Sequence, residues 1–176
     1  GVTFTVNATD PSSSITFDGN KSSVTPTSTY DGGIFHSNDT GSTLVLNGAS
    51  KNGGGKTITL QNSKVIGSNY WGGAICTHGR ADITNCAILN NESEGDGGAI
   101  LISSGTSVIK DCTLTGNKSS SKGGGIYCSG GVTTMLGTMT ITDNSANSGS
   151  DVYLSNGYTL ALSSGSESLS TNSKIG

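Results

Sequence analysis

Residues 72–91 read GGAICTHGRADITNCAILNN, residues 97–117 read GGAILISSGTSVIKDCTLTGN, and residues 123–144 read GGGIYCSGGVTTMLGTMTITDN. One pattern is written three times. Aligned on their turns, the copies give apolar columns of Ile75, Ile100 and Ile126, of Ile83, Ile109 and Leu136, of Cys86, Cys112 and Met139, and of Ile88, Leu114 and Ile141. A polar column of Asn91, Asn117 and Asn144 closes each copy. Steps of about 25 to 27 residues fall in the range of solenoid repeats, where each unit buries its apolar face only against its neighbours.

Working outward, the same spacing recurs more faintly. Ile15, Phe17 and Asn20 repeat the spacing of Cys86, Ile88 and Asn91, and Leu44 with Leu46 continue a coil begun at Gly32. After an insertion at Asn47 to Lys56, Leu60, Ser63, Val65 and Ser68 are assigned to the four column positions. Val152, Leu154, Leu160 and Leu162 form the last coil, which fades into the polar tail after them. Lys21 to Tyr30, rich in Ser and Thr, reads as a loop. No stretch has the 3.6-residue apolar period of a helix. Three short strands per copy, set too close for crossover helices, predict an all-β fold: a right-handed parallel β-helix of about six coils, with residues 1–176 as one domain. Alternation points Ile75, Ile100, Ile126 and Val152 inward and Cys76, Leu101, Tyr127 and Tyr153 outward. Asn62, Asn85, Asp111 and Thr138 are placed together at one corner, and the paired glycines at another.

Composition narrows the function. Glycine supplies 28 of 176 residues and charged residues only 12%, but the regular apolar columns argue against a disordered segment. Nine basic residues are spread singly and the net charge is -3, which leaves no stripe for phosphates, so no nucleic-acid partner is expected. No apolar run reaches the 18 or so residues of a membrane-spanning helix. Neither end carries a polar capping unit, so the chain is expected to be a piece of a longer protein, and self-association through uncapped ends is a further expectation.

Chemistry-bearing residues are sparse. Glu92, Glu94 and Asp96 form the one acidic cluster and read as solvated charges of a corner loop. Arg80 with Asp82 can be drawn as a lyase base beside a metal-binding carboxylate, yet no neighbouring copy adds a second acid in the same place. His36 and His78 are the only histidines, and Cys76-Thr77-His78 offers two soft ligands where a structural zinc needs four, so neither metal nor cofactor is expected. Cys86 and Cys112 share a column at a separation that permits a disulfide, although a ladder of buried thiols fits the same column. The repeated asparagines read as structural, since a catalytic residue need occur only once. Candidate contact residues are Tyr127, Tyr153 and Leu101 in an outward stripe, which is either an open contact surface or covered by a folded-over loop, with Tyr70 and Trp71 beside the Gly72 corner. Threonines 113, 115, 140 and 142 form two ranks of a possible water-ordering face.

These residues carry a resemblance. Gly72-Gly73-Ala74-Ile75 and Gly97-Gly98-Ala99-Ile100 match the GGAI motif, and Phe17-Asp18-Gly19-Asn20 matches the FxxN motif, of the polymorphic outer membrane proteins of chlamydiae and related bacterial autotransporter passengers. Gly123 to Ile126 is a one-residue variant, and the copies ending in Asn91, Asn117 and Asn144 keep asparagine but replace phenylalanine with Ile or Leu. The resemblance implies an extracellular or cell-surface passenger, attached to the outer membrane in its parent and serving as an adhesin toward a host surface protein or glycan through outer loops. The competing expectation, from the chemistry other β-helices carry, is a fragment of a polysaccharide lyase or hydrolase.

Overall fold

The computed structural model describes residues 1–20, 23–24, 33–69, 71–156 and 159–162. Among these residues there is no helix; the strands fall into four parallel sheets stacked in regular register, a parallel β-helix. The first sheet takes β1 (Thr3–Ala8), β5 (Thr43–Gly48), β9 (Arg80–Thr84), β13 (Thr106–Lys110), β17 (Val132–Leu136) and β20 (Thr159–Leu162). The second takes β2 (Ile15–Asp18), β6 (Ile58–Gln61), β10 (Cys86–Leu89), β14 (Thr113–Thr115) and β18 (Thr140–Thr142). The third is narrow, built from β3 (Ser23–Val24), β7 (Lys64–Val65), β11 (Glu92–Ser93) and β15 (Lys118–Ser119). The fourth takes β4 (Phe35–Ser37), β8 (Ile75–Thr77), β12 (Ile100–Ile102), β16 (Ile126–Cys128) and β19 (Val152–Leu154). A coil therefore has four strands rather than three. The extra one is two residues long, too short to show alternation in a sequence.

The core is a set of vertical stacks. Leu46, Ile83, Ile109 and Met135 meet in register, as do Ile75, Ile100, Ile126 and Val152, and all are fully buried. Met135, not Leu136, holds the inward place in its coil; Leu136 pairs with Lys110. The cause is one additional corner residue. Asp111 alone bridges Lys110 to Cys112, whereas Gly137 and Thr138 together bridge Leu136 to Met139, and Gly137 takes the left-handed φ of 66°.

The insertion at residues 47–56 also displaced the expected frame. Ile58 pairs with Cys86 and Leu60 with Ile88, while Ser63 donates its N–H to Asn91 Oδ1 at 3.0 Å and Val65 pairs with Ser93. Ser63 thus belongs to the asparagine column and not to the thiol column. Asn62, with φ of 56°, shares its corner with Asn90 and Asp143, at 55° and 57°, and with Gly116, not with Asn85 and Asp111. Asparagine and aspartate suit these corners because a short polar side chain offsets the cost of the left-handed backbone.

Asn91, Asn117 and Asn144 form a continuous hydrogen-bonded ladder inside the wall. Asn117 Oδ1 accepts from the Asn91 N–H and from Asn91 Nδ2, both at 3.0 Å, and Asn144 Oδ1 accepts the equivalent pair from Asn117. Each Nδ2 also donates to a carbonyl of the preceding coil: Leu60 at 3.2 Å, Ile88 at 2.9 Å and Leu114 at 3.0 Å. Asn144 Nδ2 finally donates to the buried carboxylate of Asp151 at 2.9 Å. Asp151 stands in register with Ala74, Ala99 and Gly125 of the glycine motif, a role nothing in its local sequence signals. Asn20 occupies the same column position but is exposed, and its N–H turns to Asp18 Oδ1 at 2.7 Å. The FxxN copy is therefore outside the ladder.

Glycines 73 and 98 are required by close approach. A Cβ on Gly73 would stand 2.0 Å from the Gly98 carbonyl oxygen, and one on Gly98 would stand 2.2 Å from that of Gly124. The second glycine of each motif is where one coil's backbone meets the next.

Candidate functional site

The outward column of the fourth sheet runs His36, Cys76, Leu101, Tyr127, Tyr153 in strict register. Of the two expectations for this stripe, open or covered, the burial fits the covered one. Cys76, Leu101 and Tyr127 are 1%, 2% and 8% exposed and make a second small core, with Trp71 and Tyr153 packed on it and themselves partly exposed. Cover comes from neighbouring side chains: Trp71 packs on the cluster, the Lys122 ammonium sits 6.0 Å from the Tyr127 ring centroid and 5.3 Å from that of Tyr153, and Tyr127 Oη meets Ser155 Oγ at 3.0 Å. The two rings lie 5.6 Å apart, tilted by 46°. What reaches solvent is the rim: Trp71, Tyr153 and Lys122. Tyr70 lies outside the described residues. Lys122 and Ser155 are the contributors that sequence reading missed, because they join the stripe from other positions of the coil.

The acids are dispersed into structural roles. Residues 91–96 are not a projecting loop: Glu92 and Ser93 are β11, held between β7 and β15. Glu92 bridges Lys64 at 3.4 Å and Lys118 at 3.8 Å, Glu94 Oε2 accepts the Gly67 N–H at 2.7 Å, and Asp96 Oδ1 accepts the Lys122 N–H at 3.1 Å. Arg80 Nε reaches both oxygens of Asp82 at 2.9 Å, an exposed pair in which the carboxylate raises the guanidinium pKa further. The register neighbours of Asp82 are Val45 and Val108, so no acid stands beside it along the sheet. Asp18 is held below the usual carboxylate range chiefly by the Gln61 amide, then by the Asn20 N–H and the Asn62 amide.

All four cysteines are free and buried. Cys86 and Cys112 adjoin inside the second sheet, and contact with the Cys112 thiol together with burial holds the Cys86 thiol protonated. Burial alone pushes Cys76 up to about 12. His36 and His78 have ring centroids 6.4 Å apart, and His36 Nδ1 is buried without a hydrogen-bond partner beside a cleft of about 370 Å³ lined by Val2, Phe4, Phe35, Leu44 and Cys76. Among the described residues no three His, Cys, Asp or Glu side chains are grouped to hold a metal.

The threonine face is longer than its sequence suggested. Correct register puts Thr16, Thr59, Ala87, Thr113 and Thr140 in one outward column and Asp18, Gln61, Leu89, Thr115 and Thr142 in the next. Ala87 and Leu89 still interrupt it at the centre.

Among the described residues, the corner between β5 and β6 projects as an exposed turn. Residues 49–56 fold back on themselves through an antiparallel bridge between Ser50 and Lys56, with the Lys51 N–H donating to the Gly55 carbonyl at 2.7 Å. Thr57 Oγ1 anchors the base, accepting the Ala49 N–H at 2.7 Å and donating to the Ala8 carbonyl at 2.5 Å. The tip, residues 52–55, is exposed.

Residues 111–129 match the model of the Chlamydia polymorphic membrane protein repeat. The matched stretch holds the variant copies of both motifs, Leu114 to Asn117 and Gly123 to Ile126, so the resemblance read from the intact GGAI copies is met independently in another coil. Over that repeat the chain is similar to bacterial outer-membrane, surface-associated proteins. No curated protein and no solved structure matches the chain.

Proposed function

We propose that this β-helix is a rigid, non-catalytic segment of a bacterial surface passenger, an adhesin or display stalk that meets a host surface protein or glycan through the corner loop at residues 49–56 and the rim of Trp71, Tyr153 and Lys122. One observation carries the reading. The members of the acidic cluster are each engaged in holding neighbouring coils together, Glu92 by ion pairs and Glu94 and Asp96 by backbone N–H groups, whereas a hydrolytic site needs two carboxyl groups converging on one substrate bond. The rim, by contrast, offers what contact surfaces use: amphipathic rings on a rigid base, with a cation beside them.

The test is to incubate the purified protein with immobilised host cells and a panel of polysaccharides, recording retention and released product together. Retention without product is expected, weakened about 5- to 30-fold by Trp71→Ala or Tyr153→Ala, the loss of about 1 to 2 kcal/mol that truncating a contact aromatic brings. Leu101→Ala serves as the comparison, since it lowers stability without touching solvent. Product above a heat-denatured control overturns the proposal in favour of a carbohydrate-active enzyme, and the search then moves to Arg80 and Asp82.

A further inference from the structure

We infer that Asn52 is a site of spontaneous covalent modification: its side-chain amide is converted to a carboxylate by attack of its own backbone, which changes the charge of the projecting loop with time. The co-reactant is water. The backbone nitrogen of Gly53, after losing its proton to solvent, attacks Asn52 Cγ; a C–N bond forms, the Cγ–Nδ2 bond breaks, and the nitrogen leaves as ammonia after taking up a proton. The resulting five-membered imide is then opened by water at either carbonyl, giving aspartate or its β-linked isomer. Atoms balance as amide plus water to acid plus ammonia, and nothing is oxidised or reduced.

The structure separates this asparagine from another with the same following residue. The described chain contains two complete Asn-Gly pairs, Asn47-Gly48 and Asn52-Gly53, and a third, Asn156-Gly157, runs out of the described residues. Ring closure requires the Asn–Gly peptide to rotate until the nitrogen faces Cγ, and glycine permits that approach because it has no side chain in the way. Asn52 is exposed at the tip, and a Cβ built on Gly53 or Gly54 meets no atom within 4 Å. Among the described residues no hydrogen bond holds the Asn52 amide or the Gly53 N–H. Asn47 is clamped by comparison. It lies in β5 between Asn7 and Thr84, its amide donates to Asn7 Oδ1 at 3.3 Å, and the Asn85 carbonyl oxygen stands 2.5 Å from where a Gly48 Cβ would be. Reaching the reactive geometry at Asn47 means opening a rung of the first sheet, an event available only to the fraction of molecules that is locally unfolded.

The product matters because of its neighbours. Lys51 Nζ donates to Ser14 Oγ, and Lys56 Nζ donates to Ser50 Oγ at 3.2 Å and Asn85 Oδ1 at 3.4 Å, and among the described residues neither cation is ion-paired with a carboxylate. A new acid between them halves the loop's positive charge and moves the chain's formal net charge from -3 to -4, one unit more negative. The loop then presents a different surface to any anionic partner.

The experiment is incubation of the folded protein in warm, mildly alkaline buffer, followed by peptide mapping for acid at residues 47 and 52 and an enzymatic assay for the β-linked isomer. A synthetic peptide spanning residues 50–56 sets the unconstrained rate. Asn52 is expected to convert at a rate within about threefold of the peptide and at least about tenfold faster than Asn47, tenfold being the effect of a 1.4 kcal/mol opening cost. Gly53→Ala is expected to slow the step, and Asn52→Gln to abolish the isomer signal in the mapped peptide that carries residue 52. Retention of the Asn52 amide while the peptide converts, or equal conversion at residues 47 and 52, overturns the inference. Thermal melting of both variants confirms that each remains folded.

Discussion

Asn117→Ala is the perturbation that most directly interrogates the wall of this helix. The Asn117 side chain is fully buried and makes four hydrogen bonds: it accepts from the Asn91 N–H and Asn91 Nδ2, and it donates to the Ile88 carbonyl and Asn144 Oδ1. Truncation leaves the consequences uneven. Asn91 Nδ2 retains Leu60 and Asn144 Oδ1 retains the Asn117 N–H, but the Asn91 N–H loses its acceptor outright and the Ile88 carbonyl loses a donor. Each of these two buried groups costs about 1 to 3 kcal/mol, so the total is expected at about 2 to 6 kcal/mol. For a domain of this size 1 kcal/mol corresponds to roughly 2 to 4 °C in melting temperature, which predicts a fall of about 4 to 24 °C. Hydrogen exchange adds a local reading that a nonspecific loss does not mimic: the Asn91 amide should exchange faster while amides of β1 and β5 change little, because solenoid coils couple mainly to their neighbours. Asn20→Gly, in the same column but outside the ladder and at a left-handed φ of 49° that glycine adopts freely, is the control and should leave the melting temperature nearly unchanged. An Asn117→Ala loss below about 1 kcal/mol, the net value of a single ordinary hydrogen bond, would refute the continuous ladder.

Two further outcomes follow from the geometry. Gly98→Ala places a methyl group 2.2 Å from the Gly124 carbonyl oxygen and 2.5 Å from the Lys118 carbonyl carbon, so it should destabilise by about 1 to 3 kcal/mol or more in urea unfolding, whereas Gly55→Ala, whose added carbon meets only the flexible Lys51 side chain at 3.7 Å, should be neutral. Burial pushes the Cys76 thiol up to about 12 from an ordinary 9.0, so the folded state keeps a proton that the unfolded chain releases; the stability linked to Cys76 is present in full below 9.0 and is lost as pH climbs toward 12. Urea midpoints taken below and above pH 9.0 should therefore fall more steeply for the native protein than for Cys76→Ser, and parallel curves would contradict the buried thiol.

The candidate site was legible only in outline. The outward column from Cys76 to Tyr153 follows from alternation, but its burial does not, because Lys122 and Ser155 come from elsewhere in the coil and alternation knows nothing of lateral cover. Glu92, Glu94 and Asp96 read as loop charges since two-residue strands leave no periodic trace; only their contacts with Lys64 and Lys118, with Gly67 and with Lys122 revealed separate tasks.

What the sequence determined by itself was the repeat and hence the stack. Isoleucines at a fixed step, asparagines that close each copy and glycines where the backbones approach can all be satisfied at once only if successive coils lie directly upon one another. What the tertiary structure alone decided was the frame wherever a coil gains or loses a residue. After the insertion at residues 47–56, Ile58, Leu60 and Val65 fit two alignments equally well, and apolar spacing cannot choose between them. The Ser63 N–H settles the matter by finding Asn91 Oδ1, with Asn62 taking the left-handed corner beside Asn90. Likewise the single extra residue at Gly137 and Thr138 turns Met135 into the core and Leu136 out of it. Side chains alternate with period two, so one residue of slip exchanges inside for outside, and only the hydrogen bonds of the neighbouring coil fix which it is.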